Sequence, residues 1–221
     1  MGASIVAFAV ASALAGGTFT GSRSNVAVHL IPRCAPPARC LPAALIHQMK
    51  DETSLIWSLL DVRIDWIDSD RPVAASDLAV DVAVLLEENA EPDPTWFANR
   101  GALLGLIHRP EVPCGTGVIR LWVGQARRHA SSVQLQGVGY DNLPRALIDL
   151  LLARSLGRAL AHEIGHYLFG VAHTEHGLMR ASFTPAELIE PVTAARYGVD
   201  ARDRKDVPSC RATADDGKDA R

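Results

Sequence analysis

The sequence predicts an α+β domain built on a mixed, twisted sheet. Three observations lead there: a helical pattern early in the chain, four short apolar or alternating segments between residues 62 and 123, and a long run of helix formers from Leu143 onward. The order helix, strands, helices lacks the regular alternation of a purely parallel βαβ fold.

Taking the elements in order, Pro42 stands where a helix can begin, and Ala43 to Leu60 carries apolar residues at Leu45, Met49, Ile56, Leu59 and Leu60. Val62, Ile64 and Trp66 alternate with Arg63 and Asp65, the period of a half-buried strand. Leu78 to Leu86, interrupted only by Asp81, reads as a more buried strand. Ala102–His108 and Val118–Val123 are two further strands around a Pro/Gly-rich loop, and Val133–Tyr140 is a weaker one broken by Gly137 and Gly139. Leu143 to Phe169 is helical, with Pro144 near its first turn and Gly157 as a break point. Thr184, Pro185 and Glu187 form a capping signature for a last helix, expected to run to Tyr197.

With 221 residues, 48% of them apolar and 21% charged, the chain supports one sizeable core and is not disordered throughout. Its 22 Lys and Arg are offset by 25 Asp and Glu, which excludes a nucleic-acid partner recognised through bulk charge. The uncharged stretch Met1–Gly17 has an apolar run too short to span a bilayer, followed by Ala13-Leu14-Ala15; it predicts an export signal over residues 1–15 and a secreted or periplasmic protein without a stable membrane span. Residues 16–41 read as a lead-in, 42–210 as the domain, and 211–221 as a disordered polar tail. In an exported chain Cys34, Cys40, Cys114 and Cys210 favour two disulfides, with three pairings open.

The chemistry concentrates in one place. Four of the eight histidines, His162, His166, His173 and His176, fall within fifteen residues, and the first two frame His162-Glu163-Ile164-Gly165-His166. On a helix, residues four apart share a face, so two imidazoles in this H-E-x-x-H pattern can reach one metal ion. Glu163 lies about 100° round the helix and flanks that face. A catalytic zinc takes three protein ligands and an open position. Gly170 stands where a helix can end at positive φ and turn the chain back, which would return His173 to the metal. His176 is an alternative third ligand, as are Glu187 and Glu190 from the last helix. Met179 follows His173 by six residues in Gly177-Leu178-Met179.

On these residues the segment Leu156 to Arg180 resembles the metzincin metalloproteases, and among them the matrixin-like members. One difference is visible: Tyr167-Leu168-Phe169 puts three residues between His166 and Gly170, one more than the family pattern. The resemblance implies a zincin-like fold with a backing helix, an active-site helix and a small C-terminal subdomain. It also implies Zn2+ on His162, His166 and His173, Glu163 as general base, and Met179 in a turn beneath the metal. The expected function is an exported, monomeric zinc endopeptidase acting on peptide or protein substrates, with Val118–Val123 holding an extended substrate by strand addition. Two alternatives stay open: a gluzincin-like peptidase with Glu187 or Glu190 as third ligand, and a non-catalytic secreted protein braced by metal.

Overall fold

The computed structural model describes residues 24–33, 41–67, 80–88, 104–108, 116–170 and 173–199. It is an α+β fold on a mixed five-stranded sheet. The strands are β1 (Ser24–Arg33), β2 (Val62–Ile67), β3 (Val80–Glu87), β4 (Gly105–His108) and β5 (Gly117–Trp122), in the order β2-β1-β3-β5-β4. β1 runs parallel to β2 and β3, β3 parallel to β5, and only β4 is antiparallel to its neighbour.

Residues 16–41 are therefore more than a lead-in. They supply β1, an interior strand whose Val26, Val28 and Leu30 are buried, so the folded domain starts before residue 42. The same face continues across the sheet through Ile64, Val82, Val84, Leu86, Ile119 and Leu121, which form one continuous core with the helices, while Ala27 and Leu85 are buried on the other face. Side chains of this kind each contribute about 1.5 to 3 kcal/mol when fully buried.

Two helices back the sheet, α1 (Ala43–Ser58) and the longer helix α3 (Arg145–Phe169). Gly157 does not break α3. It lets the two helices approach closely, because a Cβ there would stand 2.8 Å from the Met49 carbonyl oxygen. The Thr53 hydroxyl is shared between the carbonyls of Met49 at 2.9 Å and Gly157 at 3.0 Å. Beside this crossing Arg158, 2% exposed, donates to Glu52 at 2.6 Å.

Between β5 and α3 the chain forms a further helix that its polar composition does not announce, α2 (Val123–Ser131). Its Val123, Ala126 and Ala130 are buried at helical spacing. The weak strand expected at Val133–Tyr140 is a tight hairpin, β6 (Gln134–Leu135) and β7 (Val138–Gly139), with positive φ at both Gln136 and Gly137. The single helix expected from Thr184 to Tyr197 is two pieces: a 3-10 turn at Pro185–Ile189 and α4 (Ala194–Tyr197). Pro191 separates them, and Glu190 before it is extended, as a residue preceding proline tends to be.

Among the described residues, no helix is long and apolar enough to cross a membrane. The proposed export signal, the four cysteines and the 211–221 tail lie outside the described residues.

Candidate metal centre

His162 and His166 stand one turn apart near the C-terminal end of α3, and the chain then has to bring a third group back to them. Gly170 does this with a left-handed conformation, φ 68° and ψ 5°, its N–H donating to the His166 carbonyl at 3.1 Å. Non-glycine residues adopt that conformation only at a cost. The added residue in Tyr167-Leu168-Phe169 is absorbed as helix, with Leu168 and Phe169 buried. The reversal comes one position later, and His173 still arrives beside His166, their Nε2 atoms 3.2 Å apart.

One ring nitrogen from each of His162, His166 and His173 lies within 4.8 Å of the others, a group that could hold a metal ion. At Zn–N distances of about 2.0 to 2.1 Å, two ligands at a tetrahedral angle are about 3.3 Å apart, and the 3.2 Å His166–His173 separation matches that spacing. His162 is buried and His173 exposed, which leaves one side of the cluster open.

The tautomer of His162 is fixed by its neighbour. Its Nδ1 lies 2.8 Å from the Leu178 carbonyl, which can only accept, so Nδ1 carries the proton and Nε2 keeps its lone pair. Burial pushes the His162 pKa down to about 4; the Leu178 hydrogen bond opposes this, and His166, His173 and Arg180 add to it. The imidazole is neutral near pH 7, as a metal ligand must be.

Glu163 is buried one residue further along α3, next to β4. Burial raises its carboxyl pKa to about 7, partly offset by a hydrogen bond from the Ile107 backbone N–H. Its basicity is therefore matched to proton transfer near neutral pH.

Met179 is 1% exposed and packs against Gly165, where a Cβ would collide with its sulfur. Its turn is tied down by Thr174 N–H donating to the Met179 carbonyl at 2.9 Å and Leu178 N–H to the Gly198 carbonyl at 3.2 Å. Phe183 stands edge-on to His162, with ring centroids 5.9 Å apart. The Phe183 carbonyl accepts from His129 Nε2 at 2.9 Å, and His129 Nδ1 lies 3.1 Å from the Ser155 hydroxyl.

The other candidates stand elsewhere. His176 is exposed beside Glu175 and outside the cluster. Glu187 accepts from the Thr184 backbone N–H at 2.6 Å and pairs with Arg180 at 2.7 Å, while Glu190 pairs with Arg196. The capping and ion-pair demands of the C-terminal segment hold both carboxylates there. β5 cannot accept an added strand, because β3 and β4 already occupy its two sides; the antiparallel edge beside Glu163 is β4.

Leu178, Gly165, Gly105, Ile107 and Phe183 are contributors that the motif does not name. For Gly165 a signal is present, since glycine inside a helix costs about 1 kcal/mol against alanine and calls for a packing reason. Leu178 and Ile107 act through their main chains, which side-chain patterns do not reveal. No protein-family model matches the chain, and no curated protein matches it.

Proposed function

We propose that the protein is an exported zinc-dependent endopeptidase of metzincin-like, zincin-type architecture. The observation that carries this reading is the convergence of His162, His166 and His173 beside a buried carboxylate, Glu163.

Zinc held by the three imidazoles would supply a Lewis acid that polarises a peptide carbonyl and acidifies water. His162 is oriented for ligation by Leu178, and His166 is fixed by its place in α3. Glu163 takes a proton from the attacking water at its carboxylate and passes it to the leaving amine, and burial supports both halves by holding its pKa near 7. Apart from the Ile107 N–H, which Glu163 takes, the edge strand β4 offers main-chain groups to an extended peptide, and Phe183 forms an apolar wall beside His162.

The reading is tested on the full chain with bound zinc counted after dialysis and fluorescein-labelled casein as substrate. The parent is expected to bind one zinc and cleave casein. His173→Ala is expected to lose the metal and cleavage together, while Glu187→Ala keeps the metal. Zinc retained by His173→Ala and lost by Glu187→Ala would transfer the third ligand to the C-terminal segment. Zinc without casein cleavage in the parent would remove the peptidase assignment.

A further inference from the structure

The edge strand β4 contains a glycine, Gly105, and strands pay for glycine in backbone entropy and lost packing. Positive φ does not explain it, because Gly105 is not among the residues with that conformation. Space does. A Cβ at Gly105 would stand 2.9 Å from Glu163 Cγ and 3.2 Å from its Oε1, closer than side-chain carbons normally sit. It would also meet Leu121 Cδ2 at 2.9 Å, a fully buried side chain that shares the crowding with Glu163.

Two residues along β4, the Ile107 N–H donates to the Glu163 carboxylate. The strand thus offers Glu163 a gap at Gly105 and a main-chain donor two residues on, at Ile107. Glu163 comes from α3, whose backbone there is packed on the core and cannot retreat.

We propose that Gly105 is a positioning residue for Glu163: the missing side chain at 105 lets the carboxylate lie against β4, where the Ile107 amide fixes its direction. The proposal rests on the peptidase reading for its catalytic meaning, and on the steric pairing alone for its structural content. A methyl at 105 turns the carboxylate off the Ile107 amide and away from the place it must occupy beside the histidines. Misplacement of a catalytic group by ~1 Å can cost about 100-fold in rate.

The experiment has one arm that needs neither metal nor activity. Melting of the metal-free full chain is measured for the parent, Gly105→Ala, Glu163→Ala and the double variant. Gly105→Ala is expected to lower the melting temperature by about 3 to 10 °C in the parent background. In the Glu163→Ala background, where Cγ and the carboxylate are gone, that drop is expected to fall to half or less. Equal drops in the two backgrounds would place the clash on Leu121 and overturn the proposal. If Gly105→Ala alone does not fold, its recovery by Glu163→Ala supports the pairing, and failure of the double variant to fold overturns it.

The second arm uses zinc-loaded protein and labelled casein. Gly105→Ala is expected to keep its zinc and its KM and to lose about 100-fold in kcat. Glu163→Asp, shorter by one methylene, is expected to be harmed far less by the added methyl than the parent is. A KM effect with kcat unchanged would show that position 105 serves substrate and not Glu163. If the parent fails to cleave casein while the melting cycle shows coupling, the peptidase reading falls and the steric pairing stands.

Discussion

Arg158 and His162 are one turn apart on α3, both buried, at 2% and 7% exposure, and their surroundings are opposite. Arg158 meets a carboxylate from α1 and two main-chain oxygens: Glu52 at 2.6 Å, the Glu190 carbonyl at 2.8 Å and the Glu187 carbonyl. Tyr197 lies over its guanidinium at 5.3 Å. Every direction around that cation is answered from within the chain. Around His162 the chain answers only Nδ1, through Leu178, and turns two more imidazoles toward the same point. Those nitrogens can share a cation, and in its absence a proton can join His166 and His173, one Nε2 donating to the other across 3.2 Å. A buried polar group that is saturated holds the fold, whereas one whose lone pair is directed at an open point is a candidate ligand.

That contrast can be broken at either end. The largest effect is expected at the second site: Glu163→Gln should keep zinc and lose about 100- to 10,000-fold in casein cleavage, because an amide preserves shape but cannot take up the proton. Cleavage at the parent rate would show that Glu163 is not the base.

At the saturated site the expected change is in stability. Arg158→Met should cost about 3 kcal/mol, near the low end for a broken buried pair, since Arg154 stays 3.8 Å from Glu52. Pairing it with Glu52→Leu should restore part of the loss, because the buried carboxylate is gone while Arg154 keeps the Leu188 carbonyl at 2.7 Å. Chemical denaturation measures both, and a single variant as stable as the parent would mean that the ion pair is dispensable.

The smallest effect sharpens the comparison through a third, half-buried group, His129. Burial holds the His129 pKa below its ordinary 6.5, against the Phe183 hydrogen bond and Glu187, which raise it. The unfolded chain then binds a proton that the folded one resists, so this contribution is present above pH 6.5 and is lost as pH falls from there toward the folded value. His129→Gln should therefore flatten the acid side of the stability curve relative to the parent. Parallel curves for the two proteins between pH 7 and 5 would assign the acid sensitivity elsewhere.

The sequence carried more of the site than of the sheet. His162, Glu163, His166 and the exit at Gly170 are legible because helix geometry fixes their relation within a few residues. β1 was harder to read, although Val26, Val28 and Leu30 alternate, because Pro32 and the arginines around it suggest a connecting segment. α2 escaped for a different reason: nine residues with Gln125, Arg127, Arg128 and His129 look polar, and only burial of Val123, Ala126 and Ala130 makes them helical. The break at Pro191 outweighed the cap at Thr184, a contest that propensity alone could have decided. Which strand lies at the edge beside Glu163 depends on pairing between residues far apart in sequence, and no local pattern encodes it.

The contact between Met179 and Gly165 has a consequence in redox chemistry. A thioether exposed to oxidants gains a sulfoxide oxygen, polar and larger than the lone pair it replaces. Met179 is almost fully shielded, and beside Gly165 there is no room even for a methyl group. In the folded protein the sulfur is thus protected by the same tightness that would reject its oxidised form. A chain oxidised at Met179 before folding could not close the turn that carries Leu178, and His162 would lose the carbonyl that fixes its tautomer. Oxidation of Met179 is therefore expected in newly made or transiently unfolded molecules, and it holds them open until the sulfoxide is reduced.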